Sequence, residues 1–509
     1  MPTLTRRSFM KTAALAGAGV ALHGCGGLSV ERARDVVVIG AGMAGLTAAR
    51  DLTRAGLDVL VLEARDRVGG RIHTLHDPAP HGLEVGAQMI HGSRAPTWEL
   101  VREFGVKTRP FSDWGTWRWS GSGGFQKPDS ARQDEVEGRL ARSYHDYHGE
   151  DVSFRKFLET EKFTPEEQDA LAEHALSWSA EADEVSLRAA MEDDAAWDRY
   201  LDRNYQVVGG YDILPNSLAA GLGDRVRTSC VVRQVEWGRF GVRVSYERNG
   251  RPEKARARRA VVTLPIGVLQ TGSPAFSPAL PGWKLRSIES LRMGRVVVVH
   301  LLFDTWFWRD LDPAFPGWHT RGGRISFWDP HPAGAGAPVL LGWIEGTAAQ
   351  ELSDLGETAG RERALSWVED VFPSAGAKRR LQWSSVRDWL RDPYALGSYS
   401  FTRPGGWSQR AVLATPTEDR LHFAGEATAE APHYQTVHGA YTSGRRAARE
   451  VLSALGRDVA LLSGSWFPRY RREASPSATP GFRNAKQPFA SGGAMASGPG
   501  GVGIRLEDR

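Results

Sequence analysis

Residues 35–71 read DVVVIGAGMAGLTAARDLTRAGLDVLVLEARDRVGGR, and the order of apolar runs and glycines within them decides the fold. The run Val36–Ile39 stops at Gly40, Gly42 and Gly45; a helix-period segment follows, then a second apolar run, Val59–Leu62, that ends on Glu63. This is the pattern of strand, helix and strand, with the glycines where the first strand turns into the helix. Each glycine has its own task. Gly40 permits the tight turn, Gly42 lets the main chain approach a pyrophosphate, and Gly45 lets helix and strand pack closely. The N–H groups at the helix start face the phosphate charge. Glu63, 23 residues after Gly40, is placed to accept hydrogen bonds from a ribose hydroxyl. An acid there argues against a 2′-phosphate, so the pattern selects FAD or NAD over NADP.

Ala64 and Arg65 come next, then Gly69, Gly70 and Arg71. A second glycine pair followed by arginine is unusual for a nicotinamide site. It resembles the FAD-binding opening of the flavin-containing amine oxidase family, whose flavin domain carries such an arginine near the FAD pyrophosphate. The resemblance runs over roughly residues 33–455. It implies an α/β fold in which a glutathione-reductase-like, FAD-binding Rossmann domain is interleaved with an α+β substrate domain, as in monoamine and polyamine oxidases. The expected segments are a signal at 1–25, flavin domain at 33–106, 206–275 and 401–455, a helical insertion at 107–205, further substrate domain at 276–400, and a disordered tail at 464–509.

Size and charge agree with this plan. A chain of 509 residues exceeds a single core and suits two interleaved domains. The net charge of +4 sits in the ends: residues 25–463 hold 54 Lys and Arg against 57 Asp and Glu, so nothing points to a nucleic-acid surface. Cys25 and Cys230 are the only cysteines, which excludes a disulfide framework, and the 14 histidines contain no HExxH, so no metal is indicated. Among the tryptophans, Trp114, Trp117, Trp119, Trp178 and Trp197 gather in one central region, either as core or as walls of an aromatic pocket.

Arg6 and Arg7 precede the small, apolar run Thr12–Leu22, which is too short to span a bilayer as a stable helix. The arrangement resembles a Tat export signal, and Tat carries folded proteins, which suits an enzyme that acquires FAD in the cytoplasm. It implies the Tat translocon as a partner and the periplasm as the location. Leu22-His23-Gly24-Cys25 then resembles a lipobox with an atypical His23. That implies a membrane tether through lipidated Cys25; the other reading is an incidental cysteine in a discarded signal.

Within the resemblance, residues 81–93 are similar to the segment passing close to the flavin ring in polyamine and spermine oxidases. It supplies Gly86, Ala87, Gln88 and Met89 toward the cofactor, and His91 to receive a proton or orient an amine. Amino-acid oxidases of the family need an arginine for the substrate carboxylate, so Gln88 and Met89 disfavour that substrate class. Val232 matches the position whose main chain meets the adenine. Trp389 opens the block 389–400, which resembles the strand and turn facing the flavin. Ser398 stands where monoamine oxidases carry the cysteine bonded to flavin; serine lacks that thiolate, so FAD should be noncovalent. Tyr399 takes one wall of the amine pocket. Gly425 and Glu426 match the turn beside the FAD ribitol and phosphates. Near Thr436 and Val437 a helix begins whose N–H groups would face the pyrimidine edge of the flavin, where negative charge develops on reduction. Thr436 replaces the second tyrosine of the monoamine oxidase cage.

One stretch departs from the family. Residues 293–308 resemble a strand that usually carries a lysine holding a water at flavin N5, and here Val298 occupies that position. His300 would share the face of Val298 by strand alternation and so joins His91, Tyr399 and Thr436 as a catalytic candidate; Arg295 would not. Glu181, Asp183, Glu192, Asp193 and Asp194 either attract a cationic amine or form an exposed acidic face.

The expectation is an FAD-dependent amine oxidase. A primary or secondary, polyamine-like amine gives a hydride from its α-carbon to flavin N5, leaves as an imine, and O2 or another acceptor reoxidises the flavin, O2 giving H2O2. The alternatives are a flavin oxidase or dehydrogenase of a specialised metabolite, or a flavin-binding protein with little turnover because Val298 replaces the lysine.

Overall fold

The structure, a computed structural model, describes residues 33–459 apart from 80, 112–116, 120–123, 127–129, 193–201, 311–316, 321–322 and 332–335. The readings that rest on Arg6, Arg7, Cys25, Trp114, Asp193, Asp194, Trp197 and the tail lie outside the described residues.

The glycine-rich stretch folds as β1 (Arg34–Ile39), α1 (Met43–Arg54) and β2 (Val59–Leu62). β1 and β2 pair in parallel, Val36 opposite Val59 and Ile39 opposite Leu62. The chain returns to this sheet with β3 (Val226–Arg227), the meander β4 (Cys230–Gly238), β5 (Gly241–Arg248) and β6 (Arg251–Val262), and then β7 (Ala275–Ser277). The sheet runs β3-β2-β1-β6-β5-β4-β7. β6 serves two neighbours in turn: its first half pairs antiparallel with β5, and its second half runs parallel to β1.

In a second, seven-stranded sheet β8 (Val296–Phe303) lies next to one edge, between β9 (Val339–Glu345) and the edge strand β10 (Leu381–Asp388), antiparallel to both. The chain then crosses back: β11 (Leu421–Phe423) joins β6 in parallel, and α2 (Val437–Ala454) packs on the first sheet. This order is the interleaving expected from the sequence.

Both faces of β1 and β2 are covered, which is why these strands are continuous apolar runs, while the meander strands β4 and β5 alternate. Val36, Val38, Val59 and Val61 pack with α1, α2 and the helix Ile213–Leu222. Val37, Ile39, Leu60 and Leu62 pack instead under the meander. β8 is likewise buried on both sides. Val297, Val299 and Leu301 lie against the helix Gly346–Val371, while Val296 and Val298 turn to the opposite face, toward Met89 and Trp389.

The insertion is less uniformly helical than its sequence suggests. The helical patterns at 154–158 and 165–178 form the helices Phe154–Thr160 and Pro165–Leu176; of a third, expected over 185–200, residues 187–192 are helical and 193–200 lie outside the described residues. The helix Ser130–His145 is an addition, and strands Trp117–Trp119 and Phe125–Gln126 extend the second sheet. Trp178 is core, packed with Phe154, Phe157 and Leu171. Among the described residues no helix is long and apolar enough to cross a membrane, and no group of three or more His, Cys, Asp or Glu is placed to hold a metal ion.

Candidate functional site

The turn between β1 and α1 is built for close approach. Gly40 has φ +104°, a conformation that favours glycine, and a Cβ on Gly45 would stand 2.0 Å from the Gly40 carbonyl oxygen. Gly42 differs: a Cβ there would meet nothing within 4 Å, so this glycine faces open space at the start of α1. α1 has neither a side-chain cap nor an acid in its first turn, which leaves its positive end for an anion. Glu63, at the end of β2, is buried, its two oxygens accepting from the main-chain N–H of Ala41 (2.7 Å) and of Arg65 (2.9 Å). Ala64 and Arg65 follow it, and Arg65 and Arg387 both hold Asp392. Arg67, not singled out in the sequence, shapes the Gly69–Gly70 turn by donating to the carbonyls of Val68, Gly70 and Ile72.

Gly70 lies against Gly42, so the two glycine turns meet. From there Arg71 reaches across the molecule. One guanidinium nitrogen donates to the Ser398 carbonyl (2.8 Å) and to Glu426 Oε1 (2.9 Å). Burial alone would raise the Glu426 carboxyl, but Arg71, Arg410 and the Ser400 hydroxyl hold it below its ordinary value. Arg410 was also invisible in the sequence; it is buried and ties both the hydroxyl and the carbonyl of Ser400. A crevice runs from Arg71 past Thr263 and Leu264 to Gly425 and Glu426.

Gly86 is a second crossing point, because a Cβ there would stand 1.9 Å from the Arg71 carbonyl oxygen. The Ala87 N–H donates to that same carbonyl (3.1 Å). Gln88 folds back onto the carbonyls of Glu84 and Gly86. Met89 is buried beside Trp389, whose indole N–H donates to the Val85 carbonyl (2.6 Å). Val232, on β4, is buried next to a bulge in the pairing with β5. At the start of α2, Thr436 Oγ1 accepts from the Gly439 N–H (2.9 Å) and donates to the His433 carbonyl, so this hydroxyl is committed to capping the helix. Val437 is the first residue of α2.

These residues fit a dinucleotide flavin. The glycine turn and the open side of Gly42 suit a pyrophosphate, Glu63 suits a ribose, and Ser398 Oγ is buried with no protein hydrogen-bond partner at the far end of the same path.

Beside that end lies a buried apolar cluster. Met89, Phe111, Val296, Val298, Trp328, Leu341 and Trp389 form it, with Trp343 and Tyr399 packed against it. Tyr399 joins a polar cluster that the sequence reading missed. Its hydroxyl bonds Ser179 and, at 3.3 Å, Glu345 Oε1, while Ser179 Oγ donates to the same carboxylate oxygen at 2.6 Å. Burial pushes the Tyr399 phenol well above its ordinary value, and Glu345 adds to the shift.

His300 shares the face of Val298 by alternation, but lies one pleat further along. It is wholly buried near the Glu84 main chain and His331, and burial pushes it down to about 3. His91 is held by Asn204 at 2.9 Å; burial pushes it down to about 4, against that hydrogen bond. It interacts with His438, which in turn packs edge-on against His433. Of the acids in the insertion, Asp183 and Glu192 are exposed. Burial alone would raise Glu181, but Arg324 and the Thr347 N–H bring it down to about 2.

A family model described as flavin-containing amine oxidoreductase matches residues 43–452. The chain is 31% identical to polyamine oxidase 4 of Oryza sativa subsp. japonica, with 82% of this chain and 88% of the relative covered. It is 30% identical to polyamine oxidase 2 of Arabidopsis thaliana, over the same shares of the two chains. In fold it is similar to wild-type putrescine oxidase bound to putrescine, with a TM-score of 0.70 at 23% identity, covering 82% of this chain and 99% of that one. Cyclohexylamine oxidase from Brevibacterium oxydans IH-35A gives a TM-score of 0.68 at 22% identity, covering 84% and 100%. A family match that runs from the first helix to the last and close relatives that align over most of their length leave one assignment: this chain belongs to the flavin-containing amine oxidoreductases.

Proposed function

We propose that the protein is an FAD-dependent oxidase of primary or secondary, polyamine-like amines, holding its FAD without a covalent bond. The observation that carries this reading is the buried apolar cluster of Val298 and Trp328, with Trp343 and Tyr399 packed against it, beside the Arg71–Glu426 network; in this reading these side chains wall the amine chamber. When bound, FAD supplies the two-electron acceptor for the amine α-carbon and returns those electrons to O2 as H2O2. Gly40, Gly42 and Glu63 would hold its nucleotide end, Arg71 and Glu426 its middle, and Met89, Trp389 and the start of α2 its ring.

The chamber does the rest by desolvation. A protonated amine has no lone pair to drive oxidation, and burial among apolar and aromatic walls disfavours the charged form. Trp343 and Tyr399 orient the substrate chain and exclude water. Ser398 carries a hydroxyl where covalent relatives carry a thiol, which supports noncovalent FAD. Val298, wholly buried, supports a second reading, a flavoprotein that amines reduce but oxygen reoxidises slowly.

Stopped-flow mixing of the FAD-loaded protein with an amine panel tests the reading. Loss of the visible flavin band with polyamines supports it, and no loss with any amine overturns it. Peroxide release then separates the oxidase from the second reading. We further propose that the chain leaves the cytoplasm folded through the Tat route and is tethered in the periplasm by lipidated Cys25. A soluble mature protein with residues on both sides of Cys25 intact would end the tether.

A further inference from the structure

Glu345 closes β9, and its carboxyl is turned into the protein beside the apolar chamber. Its partners are hydroxyls and an indole: Ser179, Tyr399 and Trp343. The neighbouring acids are all matched to guanidinium groups, Glu181 to Arg324, Glu184 to Arg295 and Glu426 to Arg71. Among the described residues Glu345 has no such cation. Arg324 and Arg295 approach it only through main-chain carbonyls, which accept from the N–H groups of Glu345 and Gly346. Burial pushes its carboxyl up to about 7, against the hydrogen bonds from Ser179, Trp343 and Tyr399.

Ser179 takes part under constraint. It sits at φ +50°, a left-handed conformation unusual for a residue with a side chain, and is pinned there by main-chain bonds to Leu176 and Arg295. Tyr399 belongs at once to the cluster and to the chamber wall that contains Val298. A lysine at position 298 would put a competing cation there; valine does not.

Resting on the amine oxidase reading above, we propose that Glu345 accepts the proton of the substrate ammonium, relayed by the hydroxyls of Tyr399 and Ser179. The ammonium N–H bond breaks as its proton passes to the Tyr399 oxygen, and the Tyr399 proton passes to Glu345 Oε1, directly or by exchange through Ser179. No electrons change hands between groups. A cation and a carboxylate become a neutral amine and a carboxylic acid, the form that a desolvated chamber favours. The amine keeps the lone pair that its oxidation needs.

The test compares the FAD-loaded wild type with Glu345→Gln. The first readout is calorimetry with tert-butylamine, which has no α-hydrogen and cannot be oxidised, at pH 8.5 in two buffers of different ionisation enthalpy. The wild type should release close to no protons per amine bound and E345Q about one, by proton linkage. Equal release by both proteins overturns the proposal. The second is the pH profile of flavin bleaching by a substrate amine. In the wild type the rate falls on acidification through an acid limb; E345Q should lose that limb and slow about tenfold per pH unit below the pKa of the free amine. An unchanged profile overturns the proposal while leaving the amine reading intact; a wild type that no amine bleaches sinks both. Should E345Q fail to fold, Glu345→Asp keeps an acid in a different setting and should displace the limb, and a limb at the same pH counts against the assignment.

Discussion

Val298 stands where the resemblance read from the sequence expects a lysine, and its surroundings suit the valine. Its side chain is wholly buried among Val296, Trp328, Leu341 and Trp389, so nothing polar is left waiting for a missing ammonium. Val298→Lys should therefore cost stability, on the order of 1–3 kcal/mol for overpacking and a desolvated amine, read as a lower urea midpoint. If this position governs reaction at the flavin ring, the same variant should speed flavin reduction or reoxidation in stopped flow. Unchanged rates for both would remove that role from position 298. Ser398 supports a second prediction at this scale. Its hydroxyl cannot form the thioether of covalent relatives, so acid precipitation should leave the flavin in the supernatant, and a yellow pellet would contradict noncovalent binding. The residue that reading the sequence did not reveal, Glu345, lies 166 positions from Ser179 and 54 from Tyr399. Only the fold brings the three together: Tyr399 lies in the block 389–400 that marks it, while Ser179 and Glu345 lie in no such motif.

At the scale of the element, the β1–α1–β2 unit was legible because its constraints are local. Gly40 is required by its own backbone conformation, φ +104°, and Gly45 by a carbonyl five residues away, and the apolar runs report strands covered on both faces. The structure separates the jobs of two glycines in a way that can be measured. Gly45→Ala drives a Cβ into the Gly40 carbonyl oxygen, so it should destabilise the protein by about 1–3 kcal/mol even without FAD. Gly42→Ala adds a methyl that meets nothing in the protein, so urea unfolding of the flavin-free form should match the wild type while FAD binds more weakly. The reverse pattern would mean that the turn does not face the cofactor. The helix Ser130–His145 escaped notice for the opposite reason. It offers the core one narrow stripe, Val136, Leu140 and Tyr144, among mostly polar residues, so its apolar period is weak. The strands Trp117–Trp119 and Phe125–Gln126 are two to three residues long and are specified by their place on the sheet edge, which local sequence does not encode.

For the whole molecule, buried titrating groups of opposite kinds set a pH window for stability. Burial pushes His300 down to about 3 and His91, His331 and His433 to about 4, and holds His438 well below 6.5. Unfolded, each would titrate near 6.5, so below that pH the unfolded chain binds protons that the folded one refuses. Each of these histidines thus withdraws stability as pH falls from 6.5 toward its folded value, at up to about 1.4 kcal/mol per pH unit. Glu84 and Glu345 act in the other direction. Burial raises them to about 8 and about 7, so the folded protein keeps protons that the unfolded chain loses above about 4.5. Their contribution is complete below the unfolded value and is lost as pH rises through the folded one. With His73, also lowered to about 4, six histidines act on the acid side against two carboxyls on the alkaline side, and Lys284, which burial lowers to about 7, offsets part of the carboxyls' loss above neutrality. Stability of the FAD-loaded protein, followed as the urea midpoint from pH 4.5 to 9, should rise steeply from acid to a maximum near pH 6.5 and dip only shallowly beyond it. Glu84→Gln removes one of the two carboxyls and should flatten the alkaline flank by up to about 1.4 kcal/mol per unit between pH 5 and 8, leaving the acid flank in place. A flat midpoint between pH 5 and 7 would mean that these histidines are hydrated or paired in solution, and that the interior is more polar than its packing implies.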